Sequence, residues 1–226
     1  MNFSLILPIY NEEKNIDSVV SLLLQNFPEM EIILVNDGST DKTAQILEKY
    51  ASTTKIISYS QNMGKGYAIK QGVQAATKSY ILFCDADIPF GVGGIKTLAK
   101  KLDNNPGLDL VITEKVKPKE SFIYHLAKKA VRSIITLTTG LKFADTQAGL
   151  KGFKKAVAQN IFSHGFINRF AIDIEILYLA EKFHYSIGTI LLPVTDNYKR
   201  SSKFTMKEGF YLFKDIFKIY FHHYNV

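Results

Sequence analysis

The fold is decided by the stretch Tyr80-Ile81-Leu82-Phe83-Cys84-Asp85-Ala86-Asp87. Its first five residues are apolar or aromatic, which predicts a buried strand that ends at Cys84. Two carboxylates follow at once. Residues two apart on an extended chain point the same way, so we expect Asp85 and Asp87 to project together. Paired carboxylates repel each other unless a cation lies between them, and their hard oxygen atoms suit Mg²⁺ or Mn²⁺.

Short apolar runs alternate with helix-like segments through the rest of the first half. The runs predict strands at Phe3–Ile9, 31–35, 56–59 and 108–113, besides Tyr80–Cys84. The segments between them predict helices over 12–25, 41–50 and 65–76, the second opened by polar caps at Ser39 and Thr40. This order predicts an α/β fold, a mainly parallel sheet flanked by helices. In such sheets ligands bind beyond the carboxyl ends of the strands.

Polar clusters follow three further strands at the predicted carboxyl edge. They are Pro8-Ile9-Tyr10-Asn11-Glu12, Asn36-Asp37-Gly38-Ser39-Thr40-Asp41 and Asn62-Met63-Gly64-Lys65-Gly66. Each cluster taken separately is weak evidence for a functional site. Asp37-Gly38-Ser39 is typical of a turn and helix cap. Gly64-Lys65-Gly66 lacks the third glycine of a dinucleotide fingerprint and the spacing of a Walker loop.

Composition narrows the class of partner. The chain has 226 residues, of which 46% are hydrophobic and 22% charged, and this excludes a disordered protein. The net charge of +7 suits an anionic partner, such as a nucleotide, a lipid phosphate, an acidic membrane or a nucleic acid. One cysteine excludes a disulfide framework and indicates a reducing compartment. Neither a signal peptide nor an apolar run of about 20 residues is present, so a cytosolic, soluble or peripheral protein is expected.

The four clusters, in this order over residues 3 to 88, resemble those of family 2 glycosyltransferases with the GT-A fold. The resemblance implies a site for a sugar nucleotide and a divalent cation, Mg²⁺ or Mn²⁺. Asp85 would face the ribose or the metal, and Asp87 would ligate the metal on the diphosphate. The residues expected around the base and ribose are Pro8, Tyr10, Glu12 and Asp37, with Lys65 nearby.

The second half carries three more blocks. They are Asp145-Thr146-Gln147-Ala148-Gly149-Leu150-Lys151-Gly152-Phe153, Arg169-Phe170-Ala171-Ile172-Asp173-Ile174-Glu175-Ile176-Leu177 and Arg200-Ser201-Ser202-Lys203-Phe204. They resemble polyprenyl-phosphate glycosyltransferases, most of all the dolichyl-phosphate β-glucosyltransferase branch, with the dolichyl-phosphate mannosyltransferases as near relatives. The resemblance implies one domain over 1–226. Its parts are a nucleotide-sugar half (1–115), an acceptor half (116–204) and a candidate interfacial helix (205–226).

The implied acceptor, a lipid monophosphate, needs no general base, because its second pKa is near 6 and it is largely a dianion at neutral pH. It needs cations instead, and the candidates are Arg132, Lys151, Arg200 and Lys203. The candidate catalytic set is Asp85, Asp87, Arg132 and Lys151, and the acceptor blocks add Asp145, Gln147 and Ser202 as binding residues. A structural cap is an equal alternative for Asp145. Asp173 and Glu175 are two apart on a predicted helix, so we expect one of them to reach the site.

Two segments combine apolar, aromatic and basic residues, which suits amphipathic helices at a membrane surface. They span 121–141 and 207–224, and core packing is the alternative for either. An anionic leaflet would account for the positive charge without nucleic acid. The implied partners are therefore a nucleotide-sugar donor, a polyprenyl phosphate and the cytosolic face of a membrane, with a membrane-bound partner protein as an open expectation.

Two places depart from the family pattern and leave the sugar open. Ile88-Pro89 stands where mannosyltransferase relatives often carry a metal-binding amide, and Thr113-Glu114-Lys115 stands where an arginine is frequent. UDP-glucose is the first choice of donor and GDP-mannose the second. The other hypotheses are a transferase with a saccharide acceptor, which would need a general base, and a non-catalytic nucleotide-sugar-binding protein.

Overall fold

The computed structural model describes residues 2–116, 136, 140, 148–169, 171–195 and 206–222, with the backbone alone for 206–210, 212 and 213. Within these ranges the strands form one seven-stranded sheet. The strands are β1 (Phe3–Ile9), β2 (Glu31–Asp37), β3 (Lys55–Tyr59), β4 (Tyr80–Cys84), β5 (Leu110–Lys115), β6 (Leu150–Lys154) and β7 (Ile187–Leu192). The helices are α1 (Ile16–Asn26), α2 (Thr43–Glu48), α3 (Lys65–Ala75), α4 (Gly91–Asp103), α5 (Lys155–His164), α6 (Ile172–Lys182) and α7 (Met206–Phe221).

The sheet has the order β3-β2-β1-β4-β6-β5-β7 and is mainly parallel, as predicted. β1 pairs in parallel with both β2 and β4, and β5 pairs in parallel with β7. The exception is β6, which is antiparallel to both of its neighbours, β4 and β5. The start of β6 therefore lies at the same edge of the sheet as the carboxyl end of β4.

Alternating side chains of the strands build one apolar core on each face of the sheet. Leu5 and Leu7 of β1 join the core beneath α1 and α4, whereas Ile6 joins the core beneath α3, α5 and α6. Ile216 and Ile219 of α7 are fully buried in the latter. The helices thus cover both faces and leave the carboxyl edge of β1, β2 and β4 for the polar clusters.

The prediction that Ser39 and Thr40 cap the second helix is wrong. Helix α2 begins at Thr43, whose N–H donates to the Asp41 carboxylate at 2.9 Å. Ser39 and Thr40 bond instead to Asn11 after β1, since Asn11 N–H donates to Ser39 Oγ (3.0 Å) and Thr40 N–H donates to Asn11 Oδ1 (2.8 Å). These polar side chains therefore join two loops at the sheet edge rather than starting a helix.

Candidate active site

Asp85 and Asp87 come together through a turn and not through strand alternation. Strand β4 ends at Cys84, and the N–H of Ile88 donates to Asp85 O at 2.9 Å. Ile88 adopts φ = +37°, a strained backbone for a β-branched residue. The prediction that strand alternation brings the two side chains together is therefore wrong. The two carboxylates nevertheless lie close enough for the charge of Asp85 to act on Asp87.

Asp87 carries the unsatisfied charge of the site. Among the described residues, no hydrogen-bond partner lies within reach of its buried Oδ1 atom. Burial, followed by the negative charges of Asp85 and Glu12, raises the pKa of Asp87 from 3.8 to about 6. A buried carboxylate oxygen without a partner costs free energy that a bound cation would offset.

A buried chain of ion pairs extends from Asp85 into the core. The Lys65 ammonium lies 2.8 Å from Asp85 Oδ1 and 3.0 Å from Asp173 Oδ2. On the other side of Asp173, Lys151 Nζ lies 2.6 Å from Oδ1 and also donates to Ala148 O at 2.8 Å. Lys151 is fully buried and Asp173 is 3% exposed. We call these four residues the charge chain, in the order Lys151, Asp173, Lys65 and Asp85.

Each ion in the charge chain is stabilised by its neighbours. Burial opposes the charged form of Lys65, but the carboxylates of Asp173 and Asp85 raise the pKa of its ammonium well above the ordinary value. Burial likewise opposes ionisation of Asp173, and the ammonium groups of Lys151 and Lys65 nevertheless hold its pKa below 3.8. The ammonium of Lys65 and the carboxylate of Asp173 therefore stabilise each other in their charged forms.

Asp37, at the end of β2, shapes the loop that leads into α3. Its two carboxylate oxygens accept the N–H groups of Met63 (2.8 Å) and Gly64 (2.9 Å). Gly64, with φ = +103°, directly precedes Lys65 at the start of the helix. The structure thus gives Asp37 a role in placing Lys65, and its contact with a base stays a prediction.

The end of β1 supplies the remaining described residues of the predicted nucleotide site. Tyr10 is exposed, and Pro8 and Glu12 are half-buried. Glu12 acts on Asp87 through its charge, and its N–H donates to Thr43 Oγ1 at 2.9 Å. The structure therefore brings Glu12, Lys65, Asp85 and Asp87 into electrostatic contact at one edge of the sheet.

Asp173 and Glu175 have different surroundings, as their spacing predicts. Asp173 reaches Lys65 and Lys151, whereas the Glu175 carboxylate accepts the N–H groups of Phe166 and Ile167, both at 3.0 Å. Glu175 therefore holds the loop that precedes α6. Asp173 is not among the site residues predicted from the sequence. An acidic residue inside so apolar a segment as Ile172–Lys182 was the available signal, because a buried carboxylate needs a cation.

Gly149 is a second residue without a predicted role. It lies opposite Asp85, whose N–H donates to Gly149 O at 2.9 Å. A Cβ atom at this position would overlap the Asp85 carboxylate. A glycine here lets the Asp85 side chain lie over the backbone that leads into β6.

Several predicted residues lie outside the described ranges. They are Arg132, Asp145, Gln147, Arg200, Ser202 and Lys203, together with nearly all of segment 121–141. Their roles stay predictions. Lys151 is described, and its ammonium is occupied by Asp173 and Ala148, so its contact with an acceptor phosphate also stays a prediction.

The residues present fit a divalent cation as part of a ligand set. In the described part of the chain, no group of three or more His, Cys, Asp or Glu side chains is placed to hold a metal ion by itself. Asp87, with its orphaned oxygen, and Asp85 offer hard oxygen ligands. A cation held by two carboxylates takes its remaining ligands from water or from substrate phosphates, which is how Mg²⁺ is usually bound.

The fold and the site together define a class of protein. A mainly parallel α/β sheet that collects carboxylates and lysines beyond its carboxyl ends is typical of nucleotide-binding enzymes. The sequence model of glycosyl transferase family 2 matches residues 4–175. The chain therefore belongs to glycosyl transferase family 2.

Two relatives of known activity agree with this family. Over 217 residues, 85% of this chain, it is 29% identical to the dolichyl-phosphate beta-glucosyltransferase of Dictyostelium discoideum. It is 27% identical over 80% of its length to the undecaprenyl-phosphate 4-deoxy-4-formamido-L-arabinose transferase of Pectobacterium atrosepticum. The chain spans 66% and 61% of the lengths of these two relatives.

A solved structure of the same fold is glucosyl-3-phosphoglycerate synthase from Mycobacterium tuberculosis, in complex with Mn²⁺, UDP-glucose and phosphoglyceric acid. The TM-score is 0.73 at 19% identity, with 96% of this chain and 77% of that chain covered. This likeness establishes the GT-A architecture that the sequence predicts.

Proposed function

We propose that this chain transfers a hexose from a nucleotide sugar, with UDP-glucose as the first choice, to a polyprenyl phosphate at the cytosolic face of a membrane. The observation that carries the proposal is the buried, unsatisfied oxygen of Asp87 beside Asp85 at the carboxyl edge of the sheet. The names of two relatives, a dolichyl-phosphate and an undecaprenyl-phosphate transferase, support a lipid phosphate as acceptor. The UDP-glucose and Mn²⁺ bound by the solved structure of the same fold support the donor and the metal.

The reaction requires no proton transfer. A phosphate oxygen of the acceptor forms a bond to the anomeric carbon while the bond from that carbon to the diphosphate oxygen breaks. The electron pair of the broken bond leaves with the nucleoside diphosphate. Attack from the opposite face inverts the anomeric centre, so an α-linked donor gives a β-linked lipid product.

We assign different residues to the donor diphosphate and to the acceptor phosphate. Asp87 and Asp85 would hold a divalent cation, which when bound neutralises charge on the departing diphosphate. Lys65 holds Asp85 in place through their ion pair. We propose that Arg132, Arg200 and Lys203 hold the acceptor phosphate, because cations are what a dianionic nucleophile requires.

UDP with Mn²⁺ should stabilise the protein against heat. At 100 times its Kd a ligand adds about 2.7 kcal/mol, and 1 kcal/mol corresponds to about 2–4 °C for a chain of this size. We therefore expect UDP with Mn²⁺ to raise the Tm by about 5–10 °C, and GDP with Mn²⁺ to raise it less. Differential scanning fluorimetry with each nucleotide, with and without Mn²⁺, measures this directly.

The same titration separates the alternatives. A larger shift with GDP would favour GDP-mannose as donor, and no shift with either nucleotide would contradict a nucleotide-sugar enzyme. Incubation of labelled UDP-glucose with a short polyprenyl phosphate then tests the acceptor. Label in the lipid extract supports the proposal, whereas label in an added saccharide would support the transferase with a hydroxyl acceptor.

Helix α7 is the proposed contact with the membrane. Its residues Phe217, Tyr220 and Phe221 are 48%, 52% and 69% exposed, and the side chains of Lys214 and Lys218 are exposed beside them. Aromatic rings with basic neighbours suit the interface of an anionic bilayer. None of the described helices is long and apolar enough to span a bilayer.

The loop before α6 contacts both α7 and the start of α3. The Arg169 guanidinium lies 5.3 Å from the centre of the Tyr211 ring of α7, and the Phe166 ring lies 4.4 Å from that of His222. Between these contacts, Asn168 O accepts the N–H of Gly66 at the start of α3, at 2.8 Å. One loop therefore joins the proposed membrane helix to the helix that carries Lys65.

Replacing Phe217 and Phe221 together with serine should weaken membrane binding. Each exposed ring that inserts contributes about 1–2 kcal/mol of apolar transfer, so we expect partitioning into vesicles with anionic lipid to fall at least about tenfold. Co-sedimentation measures this, and activity on a detergent-solubilised acceptor should persist. The matched control is Leu22→Ser on α1, also exposed, and equal binding by the double variant would contradict the proposal.

A further inference from the structure

The charge chain joins the centre of the protein to the edge of the active site. Its inner end, Lys151, is fully buried in β6, and the side chain of its outer end, Asp85, is 34% exposed. Asp173 is the one member that contacts two ammonium groups from two different elements, Lys65 of α3 and Lys151 of β6. The position of the outer ion pair therefore depends on where Asp173 stands.

We propose that Asp173 is a positioning residue for the transfer reaction: it fixes the Lys65 ammonium, which in turn holds the Asp85 carboxylate beside Asp87. The contacts that define this role are those of the charge chain, and they form without a bound ligand. The effect of Asp173 on catalysis rests on the proposed function.

Asp173 is itself rigidly held. It lies in the first turn of α6, and two residues further on Glu175 binds the backbone N–H groups of Phe166 and Ile167. Its Oδ1 atom accepts from Lys151, whose second bond to Ala148 O fixes that ammonium within the sheet. A carboxylate bound on both sides in this way has little rotational freedom.

The ring of Phe83 completes the packing around the two lysines. The Lys65 and Lys151 ammonium groups lie 5.9 Å and 5.6 Å from its centre. Both side chains thus lie against the ring of the central strand β4, with Asp173 bridging them. Cation–π attraction of this kind adds to the ion pairs where water is excluded.

Lys65 needs such an anchor because a lysine is a flexible point charge. Its four-carbon stem carries about 2 kcal/mol of rotamer entropy. With Asp173 in place, the ammonium is held between two carboxylates at 2.8 and 3.0 Å. Without Asp173, Asp85 and Lys65 would keep each other as partners, but neither would be tied to the core.

A purely structural role for Asp173 is the competing explanation, and charge-balanced variants separate the two. Asp173→Asn leaves two buried ammonium groups with too little negative charge, so its Tm is expected to fall steeply. The double variant Asp173→Asn/Lys151→Met removes one charge of each sign. It restores the charge balance, so we expect the variant to fold, but it leaves Lys65 without the carboxylate that anchors it.

The first measurement uses the ligand-free protein. The ¹³C carboxyl resonance of Asp85 is assigned by its loss in Asp85→Asn, and it reports the contact with Lys65 whether or not a nucleotide binds. In the double variant we expect this resonance to shift and broaden. The second measurement is the Kd for UDP with Mn²⁺ by calorimetry, which we expect to rise at least about tenfold, with a Tm within about 5 °C of the original.

The matched control is the ion pair of Asp109 and Lys154, 3.0 Å apart and outside the site. Asp109→Asn/Lys154→Met removes the same two charges, and it should change neither the Asp85 resonance nor the Kd. An unchanged resonance and an unchanged Kd in Asp173→Asn/Lys151→Met would overturn the proposal. If the original protein binds no nucleotide, the proposed function fails, and the Asp85 resonance still decides whether Asp173 positions Lys65.

Discussion

Replacing Asp87 with asparagine should abolish transfer and at the same time stabilise the metal-free protein. Asparagine keeps the shape of the side chain but removes the negative charge that a divalent cation requires. Since even outer-shell partners of a metal contribute about 10- to 100-fold, we expect transfer to fall by at least about a hundredfold. Initial rates with donor, lipid acceptor and Mn²⁺ measure this loss.

The gain in stability follows from the raised pKa of the Asp87 carboxyl. Burial, then the charges of Asp85 and Glu12, makes the ionised form unfavourable in the folded protein, and the pKa rises from 3.8 to about 6. The folded state therefore binds the proton more tightly than the unfolded state. The resulting penalty is absent below pH 4, grows between pH 4 and 6, and is complete above pH 6.

Asparagine removes this penalty, which amounts to about 3 kcal/mol at most because a tenfold change in proton affinity corresponds to about 1.4 kcal/mol. Thermal unfolding in EDTA should show a higher Tm for Asp87→Asn at pH 7.5 and a smaller difference at pH 5. Asp103→Asn, at an exposed carboxylate in α4, is the control and should change neither rate nor Tm. Full activity in Asp87→Asn, or a lower Tm at pH 7.5, would contradict the role given to Asp87.

The sheet could be predicted because its central strands are buried on both faces. Such strands form continuous apolar runs, and those at Phe3–Ile9 and Tyr80–Cys84 have the predicted ends. The clusters at the carboxyl edge followed from the same reasoning, because parallel strands bring their carboxyl ends together. The resemblance to a known family then indicated a site for a sugar nucleotide and a divalent cation, which no single motif indicates by itself.

Strand β6 could not be recognised from its own residues. Leu150–Lys154 contains two lysines and a glycine, a composition that favours a loop in a local pattern. Its Lys151 is buried because Asp173 neutralises it from helix α6, 22 residues away in the sequence. Lys65 and Asp173 are 108 residues apart, and a pairing of that kind depends on the tertiary fold.

Asp85 and Asp87 lie close together, as predicted, but for a different physical reason. Alternation along an extended strand predicts the proximity, whereas the chain in fact turns after Cys84 and takes a positive φ at Ile88. The spacing of two carboxylates after a buried strand was informative, but the local backbone was not predictable from it. The close contact between the backbone of Gly149 and the Asp85 side chain was likewise not predictable from the local sequence.

Replacing Gly149 with alanine should inactivate the enzyme with little loss of stability. The new methyl group would overlap the Asp85 carboxylate, and we expect the carboxylate to rotate out of its ion pair with Lys65. Rotation of one half-exposed side chain costs little in folding, so we expect a loss of at most about 1–2 kcal/mol. Displacement of Asp85 by an ångström or more costs about a hundredfold in rate, and steady-state transfer assays measure this.

Gly107→Ala is the matched control for this substitution. Gly107 lies in the loop before β5, and a Cβ atom there would have no neighbour within 4 Å. The two glycine-to-alanine changes therefore have the same effect on the unfolded chain and differ in the contact with Asp85. Normal transfer by Gly149→Ala would show that the Asp85 carboxylate works in another position. An equal loss of transfer activity in Gly149→Ala and Gly107→Ala would show that the substitution acts through the backbone and not through Asp85. A loss of activity in Gly149→Ala alone would show that transfer depends on the position of the Asp85 carboxylate.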